Sequence, residues 1–259
     1  TKDFIMDYLK YGNRVQQQPQ EFGQQKQKVQ PEGFVDIKQK TNGVGSESNK
    51  EKKYDLINLF SVPLGIYPYP YNFEEELKWL QNFECPKHNQ YLGYTFNRQS
   101  EDSFILDNSK LKNIRTHIET SLHNFMHEIL MYQDDLVITQ SWLNKNTKGE
   151  SHHEHAHPNS LISGVWYPQV NEETPPIHFT KPYSSQIELA PKQYNNYNCS
   201  TFLMPIDPGS LILFPSYLRH SVPPNQSDTE RISISFNTWP KGNFGDQKAL
   251  TLLPADRCV

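Results

Sequence analysis

From residue 136 onward the chain is divided into short apolar runs, LVITQSWL, SLISGVWYP, PIHF, SLILFP and RISISFNTW, rich in β-branched and aromatic residues and separated by Pro, Gly and Asn clusters. This pattern predicts strands joined by turns. The fold class expected is mainly β with flanking helices, a barrel or jelly roll preceded by helical segments. No internal repeat of fixed period is visible, which argues against a solenoid or propeller. At 259 residues, one β barrel with helical additions accounts for the length as well as two small domains would.

The segments before residue 136 differ in kind. Residues 12 to 53, with QQQPQEFGQQKQKVQ near their start, hold too few apolar positions to bury a face. Residues 1–53 are therefore expected to form a polar Gln-rich arm, extended or partner-dependent. Residues 54–135 read as a helical and edge-strand support region, 136–240 as the β core and 241–259 as a C-terminal tail. Within the support region, LINLFSVPLGIYPYPYN at 56 to 72 predicts an edge strand running into a proline-punctuated turn. NFEEELKWLQNF follows, with Asn72 as a cap and acids in its first turn, and predicts a helix. A stronger helix is marked by Leu111, Ile114, Ile118, Leu122, Phe125 and Ile129, spaced by threes and fours, with Asp107 to Ser109 offering its cap. His117, His123 and His127 lie on that helix and read as partly exposed surface histidines, lacking carboxylate or cysteine companions at ligand spacing.

A formal net charge of −4 provides no broad basic field for a phosphate backbone, so nucleic acid is not an expected partner. No 18-residue apolar stretch and no charged-then-apolar leader is visible, which predicts no membrane partner and an intracellular protein. Cys85, Cys199 and Cys258 are odd in number and far apart, fitting free thiols better than a disulfide framework.

The chemistry concentrates in HHEHAHP at 152 to 158, which holds four of the ten histidines just ahead of a strand. If this stretch runs extended, period-two geometry puts His153, His155 and His157 on one side and His152 with Glu154 on the other. Two histidines two apart on one face can share a metal; the alternative is a solvated histidine patch. A third ligand must come from elsewhere, and His220 in PGSLILFPSYLRHSVPPN, after a buried strand, is the candidate. Eleven residues on, Arg231, Ser233 and Ser235 alternate with Ile232, Ile234 and Phe236. In a barrel with a packed interior that polar face meets solvent. In one wide enough for a small anion, Arg231 points inward and forks onto a carboxylate while Ser233 adds a hydroxyl.

An H-x-H pair before a strand, a distal histidine after PGxLxLFP and an R-x-S beyond it together resemble the Fe(II)- and 2-oxoglutarate-dependent oxygenases. More narrowly, QSWLN, HAHPNSLISGVWYP, PGSLILFPSYLRHSVPPN and ERISISFN resemble the 2-oxoglutarate/Fe(II) oxygenase family of bacteria and marine phages. The likeness covers about residues 136 to 240. It implies a double-stranded β-helix core of the jelly-roll or cupin-like kind, with Fe(II), 2-oxoglutarate as cosubstrate and O₂. The superfamily's ligands are an H-x-D or H-x-E pair and a distal histidine. Carried over by position, they become His155, His157 and His220, so the carboxylate place holds a histidine. His152 with Glu154 restores H-x-E in a shifted register, and His153 is a further substitute. Arg231 and Ser233 would hold the far carboxylate of 2-oxoglutarate, and Trp142, Asn144 and Tyr167 would line the pocket.

The implied activity is a dioxygenase, most simply a hydroxylase, that couples decarboxylation of 2-oxoglutarate to succinate with oxidation of a C–H bond. Its substrate is expected to be a small molecule or peptide, a prolyl or other amino-acid side chain being the commonest target in barrels of this kind. Two alternatives stand beside it. A three-histidine cupin-type dioxygenase without 2-oxoglutarate explains the histidines better and Arg231 with Ser233 worse. A metal-stabilised jelly-roll structural protein explains the Gln-rich arm, which would dock it to a larger phage assembly. Localisation follows the reading: cytoplasmic, in a host cytoplasm if phage-encoded, or associated with a virion.

Overall fold

The computed structural model describes residues 58–183, 187 and 189–255. The arm expected at residues 1–53 and Cys258 lie outside them. In chain order the elements are β1 (Gly65–Pro68), α1 (Glu74–Asn82), β2 (Lys87–Tyr91), β3 (Tyr94–Gln99), α2 (Lys112–Asn124), β4 (Leu136–Asn146), β5 (His152–His155), β6 (Ile162–Gln169), β7 (Ile177–Thr180), β8 (Thr201–Met204), β9 (Ser210–Pro215), β10 (His220–Val222) and β11 (Arg231–Pro240). All ladders are antiparallel. They form a seven-stranded sheet in the order β1-β9-β6-β11-β4-β3-β2 and a four-stranded sheet in the order β5-β10-β7-β8. Two antiparallel sheets with these crossovers are a double-stranded β-helix core. Each apolar run from LVITQSWL onward is a strand, and the aromatic-proline stretch supplies β1 at the edge of the large sheet.

The large sheet is covered on both faces, which explains why its central strands read as nearly continuous apolar runs. On its outer face Leu143 from β4, Trp166 from β6, Leu211 and Leu213 from β9 and Ile232, Ile234 and Phe236 from β11 pack with Leu80, Ile114, Ile118, Leu122 and Phe125 of the helical layer. Its inner face meets the small sheet through Val165, Ile212 and Phe214 against Ile177 and Phe179. Gly164 lies where β6 passes the outer core. A Cβ there would stand 2.2 Å from Cζ of Phe236, so no larger residue fits without displacing that ring.

The helices follow from capping and packing. Asn72 Oδ1 accepts the Glu74 N–H at 2.8 Å and opens α1. At the other end Lys145, 5% exposed, donates from Nζ to the carbonyls of Gln81 (2.7 Å) and Phe83 (2.9 Å). The strand thereby supplies the cation that a helix C-terminus favours. Asn108 accepts the Lys110 N–H ahead of α2.

The helix α2 departs from its expected phase at the C-terminal end. Residues Phe125–Ile129 form a π-turn, closed by Leu130 N–H onto Phe125 O at 2.9 Å. The wider turn rotates the face: Met126 is 1% exposed, whereas Ile129, expected on the buried stripe, is 55% exposed. Cys85 and Cys199 are free thiols. Among the described residues no helix is long and apolar enough to cross a membrane.

Candidate metal centre

The two sheets enclose a pocket whose wall is formed by alternate residues of the large sheet. Arg231, Ser233 and Ser235 of β11 point into it, with Trp142 and Asn144 of β4 and Tyr167 of β6. The polar face of RISISFNTW is therefore turned to an enclosed space between the sheets. Its apolar face, which a packed barrel interior would have claimed, goes to the helices instead. Arg231 is 3% exposed, and Ser233 2%.

Opposite stand the histidines. Donor atoms of His155, His157 and His220 all lie within 4.8 Å of one another. Each of the three commits Nδ1 to an oxygen: His155 to the His153 carbonyl at 2.8 Å, His220 to the Leu218 carbonyl at 3.0 Å, and His157 to Asn237 Oδ1 at 2.5 Å. A carbonyl oxygen can only accept, so Nδ1 carries the proton and Nε2 is left with a bare lone pair. Nε2 of His157 and Nε2 of His220 nevertheless face each other at 3.2 Å. Two lone pairs at that distance repel unless a cation joins them. The separation is about the 2.9–3.4 Å edge of a coordination polyhedron with metal–nitrogen bonds near 2.0–2.1 Å.

Burial keeps the cluster neutral. It pushes His155 down to about 4 and His220 down to about 3, with neighbouring imidazoles lowering His220 further. His157 is lowered by burial too, partly offset by its bond to Asn237. Neutral imidazoles with oriented tautomers are the form in which histidine binds a metal. The donor set thus fits a divalent metal held by three nitrogens.

The other histidines of HHEHAHP fall differently from strict alternation. His220 pairs with His155, but Val222 pairs with His152, so two steps on β10 span three on β5. This bulge puts His152 on the same side as His155, and the two rings stack with centroids 4.5 Å apart. His152 lines the pocket. His153 keeps its ring 5.1 Å from that of His155, as expected, but does not line the pocket and stacks on Tyr91 at 4.6 Å. Glu154 faces outward, taking two hydrogen bonds from Arg219 (3.1 and 3.0 Å) and one from the Thr180 hydroxyl. The bulge thus separates the carboxylate of Glu154 from the imidazole of His152.

Polar atoms without protein partners mark the ligand space. Nε1 of Trp142 and Nε of Arg231 are buried and unpaired, and the buried Tyr167 hydroxyl has only the Arg231 guanidinium, itself a donor, beside it. The guanidinium carbon of Arg231 sits 5.0 Å from the Tyr167 ring centroid. Burial pushes the Tyr167 phenol up to about 12, so it remains a hydrogen-bond donor. Three donors with no acceptor, one of them a cation, suit an anionic ligand. Asn144 is more constrained: its amide donates to Ser235 at 2.9 Å and accepts from Asn97 at 3.0 Å and Gln99 at 3.2 Å. The enclosed free space is about 20 Å³, room for one water, and the empty volume including the open mouth is about 330 Å³.

One participant escaped the sequence reading. Asn237 orients His157 and also accepts from the Ser163 hydroxyl at 2.9 Å. Its place in the alternation Arg231, Ser233, Ser235, Asn237 along β11 was the available signal.

Comparison with known proteins agrees with this geometry. Residues 140–237 match the model of the family described as "Putative 2OG-Fe(II) oxygenase". No curated protein matches the chain. Among solved structures, the non-heme alpha ketoglutarate dependent epimerase SnoN from nogalamycin biosynthesis is similar, with 12% identity over 71% of this chain and 82% of that one and a TM-score of 0.52. At that identity the likeness speaks to the fold. An oxidoreductase of the 2OG-Fe(II) oxygenase family from Burkholderia pseudomallei (13% identity, 63% and 77% covered, TM-score 0.46) aligns as well. So does a prolyl hydroxylase from Trichoplax adhaerens in complex with a hypoxia inducible factor peptide fragment (15% identity, 73% and 86% covered, TM-score 0.47).

Proposed function

We propose that residues 136–240, which contain the segment matched to the 2OG-Fe(II) oxygenase family, form the core of an Fe(II)- and 2-oxoglutarate-dependent oxygenase supported by residues 54–135. The observation that carries the reading is the pairing, in one pocket, of three convergent neutral imidazoles with a buried arginine that has an unpaired Nε. His155, His157 and His220 would hold the iron. Arg231 would take the far carboxylate of 2-oxoglutarate as a forked pair, with Ser233 beside it on the same face. Bound there, iron and 2-oxoglutarate supply, with O₂, the oxidising power for a C–H bond of a small molecule or peptide, releasing succinate and CO₂.

The chain's own part is positional. Asn237, the Leu218 carbonyl and the His153 carbonyl fix the imidazole tautomers before any metal arrives. The apolar seam of Val165, Ile177 and Val222 keeps water from the inner wall. Trp142, stacked 6.0 Å from His157, presents an indole N–H to the same space. A three-histidine dioxygenase without 2-oxoglutarate is the second reading, favoured by the absence of a carboxylate from the convergent set. A buried arginine has no task in it.

The test is succinate production by iron-loaded protein given 2-oxoglutarate and air, together with anaerobic visible absorbance. Succinate formation and a new charge-transfer band are expected. Neither appearing would overturn the proposal in favour of the second reading.

A further inference from the structure

Away from the pocket, a second group of donors converges on one point. Asp135 Oδ1 lies 3.2 Å from Nδ1 of His123 and 2.9 Å from Nε2 of His127, and the two imidazole centroids are 4.2 Å apart. All three donor atoms fall within 4.8 Å of one another. On the helix these histidines have no carboxylate companion at ligand spacing; folding brings Asp135 to them from the loop ahead of β4. The geometry points to a second divalent-metal site at His123, His127 and Asp135, of the chemistry that suits Zn²⁺.

The elements prepare the site. Histidines four apart share a helix face. Here the second belongs to the π-turn Phe125–Ile129, a local widening found preferentially where a helix carries function. Asp135 is held by its backbone, its carbonyl accepting the Lys241 N–H at 2.8 Å just beyond β11. Asp135 Oδ1 is hydrogen-bonded to both ring nitrogens at 2.9 and 3.2 Å, and a bound zinc ion would take the place of the bridging protons, since ligands on one zinc with bonds near 2.0–2.2 Å stand about 2.9–3.4 Å apart. Two imidazoles and one carboxylate leave a net +1 on the bound ion, with at least one position for water beside the roughly 350 Å³ cavity that His123, Asp135 and Lys241 line. Side-chain exposures of 66% for His123 and 57% for Asp135 provide an entry path and avoid the cost of desolvating a cation. Among the same ligands, first-row divalent ions rank with copper and zinc high and iron low, so the site need not compete with the pocket for iron. A metal here would pin the end of α2 to the entry of β4.

The experiment uses the full chain and Zn²⁺ alone. Histidines 155 and 220 are replaced by alanine to silence the pocket, and bound zinc is counted after desalting and titrated against a chromophoric chelator. One zinc per chain is expected. Adding His127→Ala should abolish it, and Asp135→Asn should weaken it at least tenfold. His88→Ala, a surface histidine on β2, should change nothing. The proposal is overturned if the pocket-silenced protein holds no zinc, if zinc survives His127→Ala, or if His88→Ala removes it equally. Should the pocket-silenced protein fail to fold, the wild type carries the test: His123→Ala and His127→Ala must each lower its zinc content by one equivalent, and unchanged content refutes the site.

Discussion

Replacing Arg231 by methionine should raise the stability of the cosubstrate-free protein while destroying its use of 2-oxoglutarate. Arg231 is 3% exposed, and among the described residues no carboxylate pairs with it. Burying a cation costs several kcal/mol after relaxation. The contact with the Tyr167 ring returns roughly 2 kcal/mol at a desolvated site. Taking the cost as about 4 kcal/mol, a methionine of similar length removes a net penalty of about 2 kcal/mol. For a folded unit of this size that corresponds to a rise of roughly 4–8 °C in Tm. With 2-oxoglutarate at a hundred times the wild type's dissociation constant, the iron-loaded wild type gains about 2.7 kcal/mol; a variant weakened about 30-fold gains about 0.9 kcal/mol and draws level, and one weakened several thousand-fold gains almost nothing, so that the order reverses. Losing one partner of a buried charged pair costs about 2–5 kcal/mol, which raises the apparent constant for 2-oxoglutarate from roughly 30-fold to several thousand-fold.

Anaerobic thermal unfolding of both iron-loaded proteins, with and without 2-oxoglutarate, measures the first effect and succinate kinetics the second. A variant less stable than wild type without cosubstrate, and with an unaltered constant for it, would refute the reasoning and make Arg231 a structural residue. Arg231→Lys should recover only part of the affinity, because an ammonium cannot make the forked contact.

Asn237→Leu removes the acceptor that fixes the His157 tautomer and should weaken iron binding by roughly 10- to 100-fold, read by chelator competition. Glu154→Ala should leave iron affinity within about twofold on the same assay, since that carboxylate is spent on Arg219 and Thr180. Gly164→Ala forces a Cβ to 2.2 Å from the Phe236 ring and should cost about 1–3 kcal/mol or more in urea unfolding. In metal-stripped protein, His155 at about 4 and His220 at about 3 lie below the ~6.5 of an unfolded histidine, so the unfolded chain takes up protons first as pH falls. Their contribution is complete above about pH 6.5 and drains away toward pH 4 and below. Urea midpoints across that range should fall, and His155→Ala with His220→Ala should flatten the decline.

The strands of the core were legible because each is a short apolar run ended by Pro, Gly or Asn, and burial on both faces left no competing pattern. The hairpin of β2 and β3 was not. Its turn is Leu92-Gly93, both with positive φ (51° and 82°), and a leucine stands where asparagine would have signalled the turn. Nor was the phase of the α2 face legible past Asn124. A π-turn adds a residue to one turn without changing composition, so spacing by threes and fours predicts Ile129 where the structure buries Met126.

The site shows the same limit in sharper form. Residue types and spacing were enough to nominate His220, Arg231 and a pair among His153, His155 and His157, because each sits a short distance from a strand whose existence the apolar runs declare; the choice of His155 with His157 came from the resemblance to the oxygenase motif. Which way HHEHAHP faces was not legible, because period-two alternation holds only while the ladder is regular. One extra residue in β5 against β10 exchanges His152 for His153 at the pocket wall and sends Glu154 out to Arg219. Bulges arise from pairing with a distant strand, here β10 some 65 residues on, so nothing local to the histidine run encodes them. The consequence is chemical as well as geometric. The regular register leaves H-x-E open as a mixed donor set, whereas the bulged one turns the nearest carboxylate outward, so the donors that converge are all neutral. A metal there would then retain its full positive charge, and the anion that balances it has to arrive as ligand, on the side where Arg231 waits.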